Sequence, residues 1–189
     1  KFRSTPSGSL PVEDDLLRTL YVGLPGSAMP AFAELIGQPE LRALVEQVKD
    51  RCARFAEERV QTSLALLPGG RPPLYEPDSI ARGQAIYGRK RCASCHGATG
   101  RGDGPASRTL RDLRGRPIRP RDFTAGVFRG GFRRADIYRG FSTGLDGTPM
   151  PALPETVSER DRWDLTHYLV SLAQSRNLLL QAARSAPSW

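Results

Sequence analysis

Cys92 and Cys95 bracket Ala93-Ser94, and His96 follows at once. Two thiols three residues apart on one helical turn can add to the two vinyl groups along one edge of a porphyrin. The next residue then turns its imidazole toward the iron as proximal ligand. Other chemistries fit the pair less well. A zinc site needs further Cys or His ligands, and only Cys52 and His167 remain, at spacings that match no zinc module. A thioredoxin-like redox pair needs a preceding strand and a βαβ setting, and neither is present. Three cysteines cannot by themselves make a disulfide framework. The motif therefore reads as a heme c site, with Cys92 and Cys95 as covalent anchors and His96 as an iron ligand.

Such an iron needs a sixth ligand or an open face. Met150 lies in Gly147-Thr148-Pro149-Met150-Pro151, fifty-four residues after His96, and is one of two methionines. Prolines on both sides stiffen the backbone and exclude helix, which suits a side chain held at a fixed point. A thioether opposite imidazole favours ferrous iron and raises the reduction potential. A core-filling Met is the plainer reading, but the loop context favours the ligand. His167, in the middle of a helical stretch, reads as a packing or solvent-facing residue.

These groups need helices to hold them. One spans Asp78 or Ser79 to about Arg89, just before the motif. The last begins at a capping signal, Ser158-x-x-Asp161, and runs to about Ser175 with Leu165, Leu169 and Leu172 on one buried stripe. Between them, residues 97–157 are rich in Gly, Pro and Arg and read as loops with short helical turns, Asp136 to Arg139 among them. Gly and Pro together account for 35 of 189 residues, too many for an all-helical bundle.

Ile80-Ala81-Arg82-Gly83-Gln84-Ala85-Ile86-Tyr87, the Cys92–Gly97 motif, Gly102-Asp103-Gly104-Pro105, the Met150 loop and a last helix with Trp163, Tyr168 and Leu169 together resemble a class I cytochrome c domain over residues 78–175. The resemblance implies a mainly α fold with long Gly/Pro-rich loops around a covalent heme. It implies that Gly83 and Tyr87 mark where the first helix crosses the last. It also implies that the Pro105 carbonyl accepts the second ring N–H of His96.

A partial second copy precedes this domain. Asp15 through Phe32 parallels Asp136 through Leu153, which sets Met29 opposite Met150. The segment from Pro39 to about Glu58 parallels the last helix, with Leu41, Leu44, Val45, Val48 and Cys52 at helical spacing, Cys52 reading as a buried small hydrophobe. No Cys-x-x-Cys-His accompanies this copy. The expected layout is a partial unit over 1–62, a Pro/Gly-rich linker over 63–77, a complete unit over 78–176 and a tail over 177–189. Two origins compete: the chain starts inside a longer diheme cytochrome, or the first unit has lost its heme half. Retention of Met29 between Ala28 and Pro30 favours the first and makes Met29 a candidate axial ligand of a second heme.

The net charge is +8, and 25 of the 28 basic residues are Arg. Residues 101–134 alone hold ten Arg and three Asp, a net +7. Arg119, Arg121 and Arg129 are candidates for pairing with heme propionates or for docking an acidic redox partner. Nucleic acid is not expected, because no aromatics are interleaved with the arginines and heme attachment occurs outside the cytoplasm. No run approaches the ~18–20 apolar residues of a membrane span. No leader is visible, which fits a mature or truncated chain.

The expected function is one-electron transfer through a His/Met-ligated heme c in the periplasm or another exported location, with no catalytic residues and with a place as a subunit of a respiratory oxidoreductase complex. The alternative is a diheme peroxidase-like enzyme with an open or labile sixth position. Met150 discriminates the two.

Overall fold

The computed structural model describes residues 2–60 and 72–173. Among the described residues seven α-helices run in chain order: α1 Glu13–Val22, α2 Gln38–Asp50, α3 Arg54–Glu57, α4 Pro77–Arg89, α5 Ala93–His96, α6 Arg134–Thr143 and α7 Glu159–Leu172. Short 3-10 turns lie at Phe32–Glu34 and Phe123–Ala125, and no strand forms among the described residues. Most of the expected linker and all of the tail from 177 onward lie outside the described residues.

The architecture rests on the crossing of α4 and α7. Pro77 opens α4, where its missing N–H costs nothing, and the Ser158 hydroxyl caps α7 by accepting from Asp161 N at 3.1 Å. Ser79, Gly83, Ile86 and Tyr87 form one buried face of α4. At Gly83 the helices touch: a Cβ there would collide with the Asp164 carbonyl and lie 2.8 Å from Tyr168 Cβ. The Tyr87 and Tyr168 rings meet edge to face at 5.2 Å beside this point. α6 packs on α7, and Tyr138, Phe141, Trp163 and Leu165 join Ile86 and Tyr87 in one buried cluster.

Polar groups lock the same crossing. The Ser79 hydroxyl donates to Asp164 Oδ1 at 2.5 Å and sits 2.7 Å from His167 Nδ1. Arg82 donates to both Asp164 oxygens, at 2.6 and 2.9 Å, and Arg134 Nη1 lies 3.4 Å from His167 Nε2. His167 is fully buried, which settles its reading in favour of packing. Burial first, and then the nearby Arg134 charge, lower its pKa to about 4. Its ordinary value is near 6.5, so an unfolded chain takes up this proton where the folded one refuses it. The neutral-His contribution is complete above pH 6.5 and is lost as pH falls through about 4, up to about 3 kcal/mol at 1.36 kcal/mol per unit. Urea midpoints at pH 7.5 and pH 4.5 should therefore differ more for the wild type than for His167→Gln, and equal differences would refute this.

The amino-terminal unit repeats part of this design at an offset of 121 residues. Asp15 accepts from Val12 N at 3.3 Å and pairs with Arg18 at 2.9 Å; Asp136 accepts from Arg133 N at 3.3 Å and pairs with Arg139 at 2.8 Å. Gly23 and Gly144 both have φ near +67°, the region only glycine enters freely. What differs is cover. Leu165 and Leu169 of α7 are 1% and 6% exposed, while their counterparts Leu44 and Val48 on α2 are 40% and 45% exposed. Among the described residues no helix lies on α2 as α4 lies on α7. Two expectations need correction. The helix from Pro39 to Glu58 breaks after Asp50, and Cys52 sits half-exposed in that break rather than buried on a helix. The turn expected over 136–139 extends to ten residues, since Asp136 caps it and the flanking apolar positions are buried.

Candidate heme site

A cleft of about 270 Å³ opens between α5, the Leu110–Arg129 loops, α6 and the Met150 loop. Phe123, Phe128, Ile137 and Phe141 form its apolar walls, while Cys95, His96 and Met150 all face it. Cys92, one turn before His96, packs against the same core cluster. The structure thus brings the distant Met150 onto the cleft that holds the motif.

The motif is positioned by α4 and by the loop that follows it. Cys92 N donates to Tyr87 O at 3.1 Å, and His96 N to Cys92 O at 2.9 Å, which closes the single turn of α5. The Tyr87 hydroxyl donates to Gly97 O at 2.7 Å and ties the far end of α5 back to α4. Gly102 N and Gly104 N then donate to His96 O and Cys95 O, at 2.8 and 3.1 Å. His96 Nδ1 lies 3.1 Å from the Arg121 carbonyl, and its ring stacks on Phe123 at 4.4 Å. Burial lowers its pKa, against an upward pull from the Arg121 carbonyl, so the ring is neutral near pH 7. A neutral ring that donates from Nδ1 presents the Nε2 lone pair for a metal. Here the structure differs from the sequence reading: the partner of Nδ1 is Arg121, and Pro105 stands exposed at the surface. Burial also raises the pKa of the Cys92 thiol, keeping it protonated.

The Met150 loop is a closed turn. Leu145 N donates to Met150 O at 3.1 Å, Thr148 N to Leu145 O at 3.0 Å, and Met150 N to Thr148 Oγ1 at 3.2 Å. Downstream, the buried Arg162 donates to the carbonyls of Leu153, Pro154 and Val157. The Met29 loop uses the same bonds: Leu24 N to Met29 O at 3.1 Å, Ser27 N to Leu24 O at 3.0 Å, and Met29 N to Ser27 Oγ at 3.2 Å.

Arg119, Arg121 and Arg129 all line the cleft, with Arg119 and Arg129 exposed at its rim. The carboxylate among the lining residues is Asp136, which is engaged by Arg139 and by its own helix cap. Sequence reasoning missed Phe123 as a stacking partner of His96 and Phe2 as part of the wall. Phe2 lies 2.9 Å from the position a Cβ on Gly130 would take. No local pattern marks either one, since each acts on a segment far away in sequence.

A heme fits this donor set. An imidazole nitrogen, a thioether and the Cys95 thiol share the cleft, and its walls are apolar. Gly140 lines the cleft from α6, and an added Cβ there would meet nothing within 4 Å, so room remains for a flat macrocycle.

A family model described as "Cytochrome c" matches residues 80–173. No curated protein matches the chain. Among solved structures, a chain of the Kuenenia stuttgartiensis reducing HAO-like protein complex is 41% identical. The match covers 92% of this chain and 78% of that one, with a TM-score of 0.84.

Proposed function

The chain belongs to the c-type cytochrome family and carries covalent heme c, and on that premise we propose that it transfers single electrons through a His96/Met150-ligated heme in the periplasm. The observation that carries the reading is the placement of His96 and Met150 on one apolar cleft. In this reading Cys92 and Cys95 anchor the group and His96 holds the iron from one side. The Arg121 carbonyl keeps the imidazole in the ligating tautomer. Once bound, heme supplies a one-electron couple at its iron. The protein then has three tasks. Phe123, Phe128, Ile137 and Phe141 exclude water, the Met150 loop presents a soft sulfur, and the Arg119 and Arg129 rim offers positive charge to propionates or to an acidic partner. Pro105 has no place in this arrangement.

The alternative of a heme enzyme with an open iron gains nothing from the cleft. Its lining carboxylate, Asp136, is committed to structural bonds with Arg139 and its own helix cap. Because the similar solved chain is part of a protein complex, the reading includes a place as an electron-transfer subunit of an oxidoreductase complex. No described helix is long and apolar enough to cross a membrane.

Replacing Met150 with Leu tests the ligand. The ferric protein should lose the share of the sulfur-to-iron charge-transfer band that Met150 supplies, with that heme turning high-spin. The potential should fall by a tenth or more of the ~0.8 V range that axial ligands command. An unchanged spectrum would remove Met150 from the iron. We read Met29 in the same way, as the ligand of a second heme held against α1 and α2. Its loop repeats the Met150 bonds, and the uncovered Leu44 and Val48 suit a helix with the α4 pattern. A heme count of two per natural polypeptide is expected in the same experiment.

A further inference from the structure

The Met150 loop is gripped from outside its own unit. Asp146, four residues before Met150, accepts a hydrogen bond on Oδ1 from Arg3 Nη2 at 2.9 Å, while Arg3 Nη1 lies 2.7 Å from Oδ2 as an ion pair. Arg3 is 2% exposed. Its Nη2 also reaches the carbonyl of Thr143, the last residue of α6, at 3.4 Å, and its Nε donates to Pro6 O at 3.0 Å. The Ser7 hydroxyl adds a bond to Asp146 Oδ1 at 2.9 Å, and Gly8 N one to Oδ2 at 3.2 Å. Arg54 Nη2, held by Glu58, donates to Gly8 O and fastens this strap to α3.

Five contacts from residues 3–8 thus converge on the start of the loop that carries the sulfur. The clamp is not an inherited part of the repeated unit: the counterpart of Asp146 in the first loop is Pro25, which has no carboxylate. Arg162 grips the loop on its far side, so the backbone around Met150 is fixed from both directions. A ligand bond made by a loop is weakened by whatever freedom that loop retains, because order not present beforehand must be gained when the bond forms.

We propose that Arg3 and Asp146 are positioning residues for Met150, so that contact between the partial and complete units sets how firmly sulfur holds the iron. The proposal rests on the Met150 reading above. It gives the amino-terminal unit a role in the redox site that is separate from any heme of its own. It also places control of the iron's sixth position at the junction of the two units, where a partner that shifted one against the other would alter it.

The test uses the ferric holoprotein with free imidazole as probe, since imidazole must displace the thioether to bind. Asp146→Asn and Arg3→Gln should bind imidazole about tenfold more tightly, within the usual range of coupling between sites. Their charge-transfer bands should weaken, with part of the loss recovered in Arg3→Lys. Ser7→Ala removes one exposed contact without stranding a buried charge. It should shift affinity in the same direction by a smaller factor, and it keeps the test open if the charge variants do not yield holoprotein. Ser79→Ala, which destabilises the α4–α7 crossing far from the loop, should leave imidazole affinity unchanged. Wild-type affinity equal to that of Met150→Leu would sink the Met150 reading itself. If instead the wild type differs from Met150→Leu while Asp146→Asn and Ser7→Ala match the wild type, the clamp alone is overturned.

Discussion

Replacing both Cys92 and Cys95 with alanine is expected to remove one covalent heme, halving the heme signal of the natural polypeptide in a denaturing gel. The effect on stability should be nearly as large. The cleft encloses about 270 Å³, and a vacated cavity costs ~24 cal/mol per Å³, at most about 6 kcal/mol if it neither collapses nor fills with water. That rivals the ~5–15 kcal/mol by which domains of this size are stable. Phe123, Phe128, Ile137 and Phe141 would then face water or collapse inward. The double variant should therefore accumulate poorly and melt without a sharp transition. A covalent heme signal undiminished after denaturation would mean that these cysteines are not the anchors.

The second large effect is expected at Gly83, away from the cleft. A Val there drives its Cβ into the Asp164 carbonyl and its branches toward Tyr168. Overpacking against a side chain is relieved by rotation, but a backbone carbonyl on a neighbouring helix cannot turn aside. The α4–α7 crossing must open, at about 3 kcal/mol or more, or at least about 10 °C in Tm for a unit of this size. Because Tyr87 ties α4 to Gly97 at the end of the motif, the shift also reaches His96. Holoprotein yield and thermal midpoint should both drop, with Gly83→Ala intermediate. A Gly83→Val protein that melts with the wild type would show the crossing to be looser than described.

Legibility varied from residue to residue. Gly83 and Tyr87 were placed at the crossing through a family resemblance, and the structure puts them there. The helix before the motif and the cap at Ser158 were readable because propensity and capping act within a turn or two of chain. Pro105 was not, and the reason is geometric: which carbonyl meets His96 depends on how the whole 97–122 loop folds back, and it is Arg121 that arrives. Leu44 and Val48 fall at helical spacing and yet stand exposed, because periodicity reports which face is apolar but not whether another element covers it. His167 was legible only as far as its helix. Its burial follows from Ser79, Arg134 and Tyr75 arriving from separate segments.

By itself, then, the sequence determined the chemistry and the plan. Cys92, Cys95 and His96 speak through spacing within one helical turn, and the internal repeat pairs Met29 with Met150 wherever the chain goes. Only the tertiary structure decided how that chemistry is tuned. The carbonyl behind His96, the aromatic wall around it and the grip of Arg3 on Asp146, 143 residues apart, all arise where distant segments cross. Such contacts leave no local pattern, because each depends on the packed geometry of the whole chain.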